Sequence, residues 1–279
     1  MAFDDICARS MSRRFTFFVH AASLALAVFL AGCATSSTKV PVGTLEPDKF
    51  LWERGTAALN DRKWFSAREF FETLNETYPQ SAYRADAKLG IGDSRLGEGN
   101  AEGFVLAQNE FREFLAFYPT HRRADYAHFK LAMTHFYQMH GPERDQTETR
   151  EAIRELTAFL ERFPRSSIVP EAQEKLREAK DRLSQSEYRV GFFYFRNKWY
   201  PGAIERFASV LKADPQFTNR DALYFHLAES LYLQSKQLVD GKEKLAEALP
   251  YYERLVKEFE KSEYLEAAQK RIAELKIPS

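Results

Sequence analysis

Residues 203–215 read AIERFASVLKADP, and this short stretch decides the fold. It begins with a small residue, Ala203, followed by Phe207 four positions later and Val210 three positions after that. Offsets of four and three place side chains on the same face of an α-helix. Pro215 comes five positions further on, and proline cannot continue a helix. The stretch therefore predicts a helix that buries one face and ends just before the proline.

The same pattern occurs five times along the chain, with Glu260 in place of the proline in the last copy, and this indicates a repeat architecture. Successive copies begin 40, 45, 51 and 45 residues apart. The pattern resembles the second helix of the tetratricopeptide repeat, whose period is about 34 residues, so the excess is expected in loops or longer helices. The copies are Ala67/Phe71/Leu74/Pro79, Ala107/Phe111/Phe114/Pro119, Ala152/Leu156/Phe159/Pro164, Ala203/Phe207/Val210/Pro215 and Ala248/Tyr252/Leu255/Glu260.

A first helix is predicted before each copy, and a closing helix is predicted after the last one. The interval 167–197 holds few helix breakers and is interpreted as one helix of about 30 residues, roughly 45 Å long. The sequence thus predicts an all-α fold, a right-handed α-solenoid of about five tetratricopeptide-like helix pairs with a C-terminal capping helix and a concave face. The predicted first helices cover 48–60, 82–97, 122–139, 167–197 and 217–235, and the capping helix covers 264–275.

The N-terminus has the layout of a secretory signal. Arg13 and Arg14 precede an uncharged, mainly apolar stretch over 15–31, which is short for a membrane span. Leu-Ala-Gly-Cys at 30–33 resembles the lipobox of bacterial lipoproteins, in which the cysteine is acylated and becomes the new N-terminus. We therefore expect a cleaved signal peptide over 1–32, lipidation at Cys33 and a flexible tether over 33–47. An ordinary signal peptide with an incidental cysteine is the alternative.

The resemblance to lipoprotein signals also implies a location. Residue 34 is Ala rather than Asp, which in such signals favours the outer membrane, and the lipid anchor would provide the membrane contact. Met11 is a second candidate for the true start, because Asp4 and Asp5 suit a signal poorly.

Net charge and cysteine content bear on nucleic-acid binding and on disulfide bonding. The chain has 40 Lys and Arg against 40 Asp and Glu, so nothing in its net charge points to nucleic acid. After cleavage only Cys33 remains of the two cysteines, which leaves no intrachain disulfide.

The sequence contains no recognisable catalytic or metal-binding constellation. His121, His128 and His135 are spaced by seven residues, which is about 10.5 Å on a helix and too far apart for one metal ion. The chain has no H-E-x-x-H, no Walker motif and no G-x-S-x-G. We therefore expect no catalytic residue, no metal and no cofactor, and predict that the protein is not an enzyme.

Aromatic residues are the candidates for binding. The run FFYF at 192–195, followed by Trp199 and Tyr200, exceeds what one helix face can bury. Two explanations fit this aromatic run. The rings pack between repeats on both sides, or they form a surface that docks a partner. Tyr83, Tyr126 and Phe129 lie on predicted first helices, which line the concave face, and an aromatic groove there suits an extended peptide. The pattern does not separate groove residues from residues packed between repeats.

Two segments carry a closer resemblance. YPTHRRADYA at 118–127 and DRLSQSEYRV at 181–190 resemble passages of the BamD family, the tetratricopeptide-repeat lipoproteins of the outer-membrane β-barrel assembly machinery. The likeness covers about 51–237. This chain departs from the family in a shorter insertion around 141–146 and in a fuller fifth repeat, and these departures bear on the contacts made by its C-terminal end.

The resemblance implies a scaffold on the periplasmic face of the outer membrane. Repeats over 48–139 would receive unfolded outer-membrane β-barrel proteins, with Asp125 and Tyr126 in the client-binding groove. Repeats over 140–279 would dock a BamA-like barrel assembly protein, beside other assembly-complex lipoproteins, and Arg206 matches the arginine that pairs with it. The alternative hypothesis is a tetratricopeptide-repeat envelope lipoprotein that recruits or regulates a peptidoglycan enzyme.

Overall fold

The structure, a computed structural model, describes residues 38–276. The predicted signal peptide and the predicted lipidation site Cys33 lie outside that range. Across the described residues there are eleven α-helices and no strand, and none of these helices has the length and hydropathy that a membrane span requires. The helices are α1 Pro47–Asn60, α2 Trp64–Thr77, α3 Arg84–Gly97, α4 Ala101–Phe117, α5 Ala124–Phe136, α6 Thr147–Arg162, α7 Val169–Arg196, α8 Tyr200–Ala213, α9 Arg220–Ser235, α10 Lys242–Glu258 and α11 Leu265–Lys276.

These helices form five antiparallel pairs and a capping helix, which confirms the predicted α-solenoid of helix pairs. Each helix packs against the next one along the chain, and the odd-numbered first helices from α1 to α9 also contact one another. The helices α2, α4, α6 and α8 each end two residues before a proline of the repeat pattern. The backbone before a proline is driven out of the helical region, so the proline sets each boundary.

The repeated Ala and aromatic positions make the tightest contacts between helices. Phe71, Phe111 and Phe207 are fully or almost fully buried. A Cβ atom at Gly90 would lie 2.3 Å from Cε2 of Phe71, and one at Gly191 would lie 2.7 Å from Cε1 of Phe207. Glycine on the facing helix therefore lets each aromatic ring lie directly against a helix backbone.

The long helix α7 belongs to two hydrophobic cores. Its first half packs through Ala172 and Ala179 against the third repeat, around Phe159. Its second half packs through Tyr188 and other aromatic side chains against the fourth repeat, around Phe207. With 28 residues, α7 is roughly 42 Å long and joins the two halves of the array without a break.

A recurring hydrogen bond links successive repeats. The Ser81 hydroxyl donates to Asp48 at 2.7 Å, joining the loop before α3 to the first turn of α1. Two further bonds of the same kind run from Ser166 to Asp125 at 2.6 Å and from Ser262 to Asp221 at 2.7 Å. Each bond joins the loop before one helix to the first turn of the preceding first helix, and so it helps to fix the turn between neighbouring units.

The capping helix α11 is attached through a buried carboxylate. Glu229 on α9 accepts hydrogen bonds at 2.7 Å from the Tyr252 hydroxyl and from Nε of Arg271, while Nη2 of Arg271 donates to its other oxygen at 3.2 Å. Arg271 also lies over the ring of Tyr232 at 4.1 Å. One side chain of α11 therefore neutralises the charge of a buried acid on α9.

Candidate functional site

An open cavity of about 530 Å³ lies in the N-terminal half of the array, and we call it the N-terminal groove. Residues from α1 to α5 and the segment after α5 line it, so three repeats contribute to one site. Its lining combines four aromatic rings with one acidic and one basic residue, namely Trp64, Phe104, Tyr126, Tyr137, Asp93 and Lys130.

Asp93 is the most unusual group in the groove. Its Oδ2 atom accepts a hydrogen bond from the Tyr126 hydroxyl at 2.8 Å. Its Oδ1 atom is buried and has no hydrogen-bond partner within residues 38–276, because Nζ of Lys130 stays 3.9 Å away. Burial raises the pKa of the Asp93 carboxyl. A buried acceptor without a partner carries a free-energy cost that a bound donor would remove.

Two cationic side chains lie near the ring of Tyr126. The guanidinium group of Arg123 lies 4.4 Å from the centre of its ring, and Nζ of Lys130 lies 5.4 Å from it. Burial and the nearby Asp93 carboxylate raise the pKa of the Tyr126 hydroxyl, which therefore stays protonated and donates. The ring forms a fixed wall of the groove.

Of the four predicted groove residues, Tyr126 lines this cavity and the other three lie elsewhere. Tyr83 stacks on Trp52, with 5.0 Å between ring centres. Asp125 accepts the hydrogen bond from the Ser166 hydroxyl that links two repeats. Phe129 is buried in the core of the third repeat. Their predicted role in binding stays a prediction.

The sequence interpretation missed Asp93, Lys130, Trp64 and Phe104, which lie on four different helices. One signal for Asp93 was available. It lies in the stretch Leu-Gly-Ile-Gly-Asp-Ser at 89–94, where a single acid stands among small and apolar residues. A charged residue in such a stretch needs a partner or a function.

The predicted partner-binding residues lie at the junction of α7 and α8. Nη1 of Arg206 donates to Oε2 of Glu187 at 3.0 Å, and the Arg206 side chain is 46% exposed. Trp199 is 53% exposed, and its ring meets the edge of Tyr194 with 4.6 Å between ring centres. Tyr200 is buried. Arg206 and Trp199 are therefore accessible to a partner, whereas Tyr200 packs inside.

The C-terminal turns of α7 extend beyond the third repeat, and we call residues 188–196 the projecting end of α7. Nη2 of Arg150, on the first turn of α6, lies 3.9 Å from Oε1 of Glu187. Within the described chain, no hydrogen bond, ion pair or ring contact joins residues beyond Glu187 to the third repeat. Phe193 is exposed there, and Arg189 and Arg196 take part in no ion pair within residues 38–276.

The three histidines spaced by seven residues have separate surroundings. His128 lies 3.2 Å from Glu155 through Nε2, and His135 lies 2.7 Å from Glu148 through Nδ1. His121 packs edge-on against Phe114. Across residues 38–276, no three ligand-type side chains come close enough together to hold a metal ion.

The pair of His128 and Glu155 predicts a pH-dependent stability. The hydrogen bond from His128 lowers the pKa of Glu155 from 4.5 to about 2, and the pair lies between α5 and α6. A lowered pKa in the folded state stabilises the fold above the unfolded value, and that contribution is lost as pH falls from 4.5 towards 2. We expect the difference in melting temperature between wild type and Glu155→Gln to shrink over that interval. Glu161→Gln, at an exposed position of α6, is the control, and a difference that does not change with pH would contradict the prediction.

Known proteins resemble this chain in sequence. A family model named YfiO and described as "Outer membrane lipoprotein" matches residues 45–245. The outer membrane protein assembly factor BamD of Caulobacter vibrioides is 27% identical over 214 residues, which cover 76% of this chain and 69% of that protein. BamD of Vibrio cholerae serotype O1 is 27% identical over 196 residues, which cover 67% of this chain and 79% of that protein.

Solved structures give more distant matches. A thermophilic TPR protein of Thermus thermophilus is 16% identical, with 82% of this chain and 98% of that one covered and a TM-score of 0.34. The fold assignment therefore rests on the helix pairs of the chain itself.

Proposed function

Because the chain belongs to the YfiO family of outer membrane lipoproteins, we propose that it is a non-catalytic scaffold in the assembly of outer membrane proteins. The observation that carries the proposal is the family match over residues 45–245, together with relatives named as outer membrane protein assembly factors. The helix-pair array supports it, because such arrays bind partners along extended surfaces. Lipidation of Cys33 would hold the array at the periplasmic face of the membrane.

The N-terminal groove would receive unfolded barrel proteins. It is open, lined by aromatic rings, and long enough to involve three repeats. An extended polypeptide offers side chains for such a groove together with main-chain donors and acceptors. Asp93 and Lys130 supply one acceptor and one donor at its wall.

The surface around Arg206 would dock a BamA-like barrel assembly protein. Arg206, Trp199 and Phe193 are all exposed near the junction of α7 and α8. Exposed tryptophan and arginine are enriched among residues that dominate binding energies. Phe193, which is 62% exposed, supplies apolar area for the contact.

Reversal of one charge tests this docking surface. We expect Arg206→Glu to weaken binding of the periplasmic domain of the BamA-like protein by about tenfold or more, because an attractive contact becomes repulsive. Binding would be measured by calorimetry with the purified proteins. In this variant Glu187 would face a second carboxylate, which could lower the stability of the fold. The melting temperature of the variant is therefore measured as well, so that weaker binding is distinguished from partial unfolding.

Lys212→Glu provides the matched control. Lys212 is exposed on another face of α8 and takes part in no ion pair within the described residues. It should leave binding unchanged. Equal losses in both variants, or no loss in Arg206→Glu, would contradict the assigned surface.

Depletion of the protein in cells tests the function as a whole. The expected result is a fall in outer-membrane β-barrel proteins, measured in isolated outer membranes. Unchanged barrel proteins with altered peptidoglycan would overturn the proposal in favour of a lipoprotein that recruits or regulates a peptidoglycan enzyme.

A further inference from the structure

The N-terminal groove contains a hydrogen-bond acceptor that the chain itself does not use. Oδ1 of Asp93 is buried and without a partner within residues 38–276, while Oδ2 is occupied by the Tyr126 hydroxyl. Asp93 lines a cavity of about 530 Å³ that is open to solvent. Because Oδ1 has almost no accessible surface, an occupant gains a hydrogen bond to this oxygen when the Asp93 side chain turns towards the cavity.

The charges around Asp93 select the kind of donor. Nζ of Lys130 lies 3.9 Å from the same Oδ1 atom, and the guanidinium group of Arg123 lies 4.4 Å from the centre of the Tyr126 ring. A second cation would be repelled by these two groups, and a carboxylate would be repelled by Asp93 itself. A neutral O–H or N–H donor is repelled by neither the two cations nor Asp93.

The walls of the cavity select what carries that donor. Trp64, Phe104 and Tyr137 present rings to the same space. Aromatic side chains pack favourably against other rings, and the hydroxyl of tyrosine or the indole N–H of tryptophan needs a partner when it is buried. An aromatic ring with a polar tip therefore matches both the walls and the acceptor.

We propose that the N-terminal groove binds a tyrosine or tryptophan side chain of an unfolded client, whose O–H or N–H donates to Oδ1 of Asp93. The inference rests on the proposed function for the source of that side chain. Barrel proteins are a fitting source, because their strands carry girdles of aromatic residues at both membrane interfaces. Asp93 then acts as a specificity residue that separates tyrosine from phenylalanine.

A matched pair of small probes tests the inference. N-acetyl-tyrosinamide and N-acetyl-phenylalaninamide differ by one hydroxyl group and carry no charge. Each is titrated into the purified full-length protein, and binding is followed by the indole N–H resonance of Trp64, which lines the groove. We expect the tyrosine probe to bind at least about fivefold more tightly, since it satisfies the buried acceptor.

Two variants show whether Asp93 causes the preference. In Asp93→Ala the two probes should bind within about twofold of each other, and Asp93→Asn should give an intermediate ratio because a neutral acceptor is weaker. Glu102→Gln, an equal change of charge at an exposed position on α4, should keep the full ratio. Melting temperatures of all three variants show that they are folded.

Several results would overturn the inference. They are equal binding of the two probes to the wild type, an unchanged ratio in Asp93→Ala, tighter binding of N-acetyl-tyrosine with a free carboxylate, and no shift of Trp64 with any probe. Capture of a urea-unfolded barrel protein by the wild type is measured in parallel. If capture persists while the probes fail, the inference fails alone, and if capture is also absent, the proposed client site fails with it.

Discussion

Phe207→Ala is expected to lower the free energy of unfolding of the C-terminal repeats by about 4 kcal/mol, the range for removing a fully buried phenylalanine ring. Phe207 has no exposed surface, and its ring centre lies 5.5 Å from that of Tyr188 and 6.1 Å from that of His226. It also fills the space above Gly191, where α7 and α8 approach closely. A methyl group would leave a cavity at the centre of the fourth repeat.

The three tryptophans make this loss measurable by region. Trp199 reports on the fourth repeat, whereas Trp52 and Trp64 lie in the first repeat. Urea unfolding followed by Trp199 fluorescence, in a background with the other two replaced by phenylalanine, gives the change for the C-terminal half. Phe117→Ala removes the same ring from a position that is 72% exposed and should cost less than about 0.5 kcal/mol. A loss below about 1 kcal/mol for Phe207→Ala would refute the assigned core position.

Arg271→Ala is expected to cost about 3 kcal/mol, because it leaves the buried carboxylate of Glu229 without its counter-charge. The Tyr252 hydroxyl would still donate to Glu229, but a neutral donor does not replace a guanidinium group. The capping helix α11 should loosen first. Hydrogen exchange of α11 amides, measured by mass spectrometry, should therefore rise before that of α9.

A second substitution separates the charge from the lost packing of Arg271. Adding Glu229→Gln to Arg271→Ala removes the unpaired charge and should restore part of the stability. Lys276 lies on the same helix as Arg271, and Lys276→Ala breaks its exposed ion pair with Glu253 of α10, which should cost less than about 1 kcal/mol. If Arg271→Ala costs no more than Lys276→Ala, the attachment of α11 does not depend on Glu229.

The helix pairs could be predicted because their signals are local. The first four second helices each carry a small residue, an apolar pair and a terminating proline within thirteen positions, and each ends where the proline requires. The length of α7 could also be predicted, from the scarcity of breakers between 167 and 197. Both predictions depend only on residues that are close together along the chain.

The N-terminal groove could not be predicted, because its parts come together only through packing. Asp93 and Tyr126 are 33 residues apart and meet because two first helices lie side by side. Tyr126 and Phe129 lie on the same helix α5. Tyr126 faces the N-terminal groove, whereas Phe129 is buried in the core of the third repeat. Helical spacing shows that both residues lie on apolar faces of α5. It does not show which of these faces packs against a neighbouring helix.

Helix α7 has a mechanical consequence. It supports the third repeat with one half and the fourth with the other, so one continuous helix crosses the boundary between these two repeats. Its 28 residues contain no proline beyond the first turn, and proline is a common cause of a sharp kink. A turn of the fourth repeat relative to the third would have to bend or break this helix, so the two repeats should respond to an applied torque as one unit.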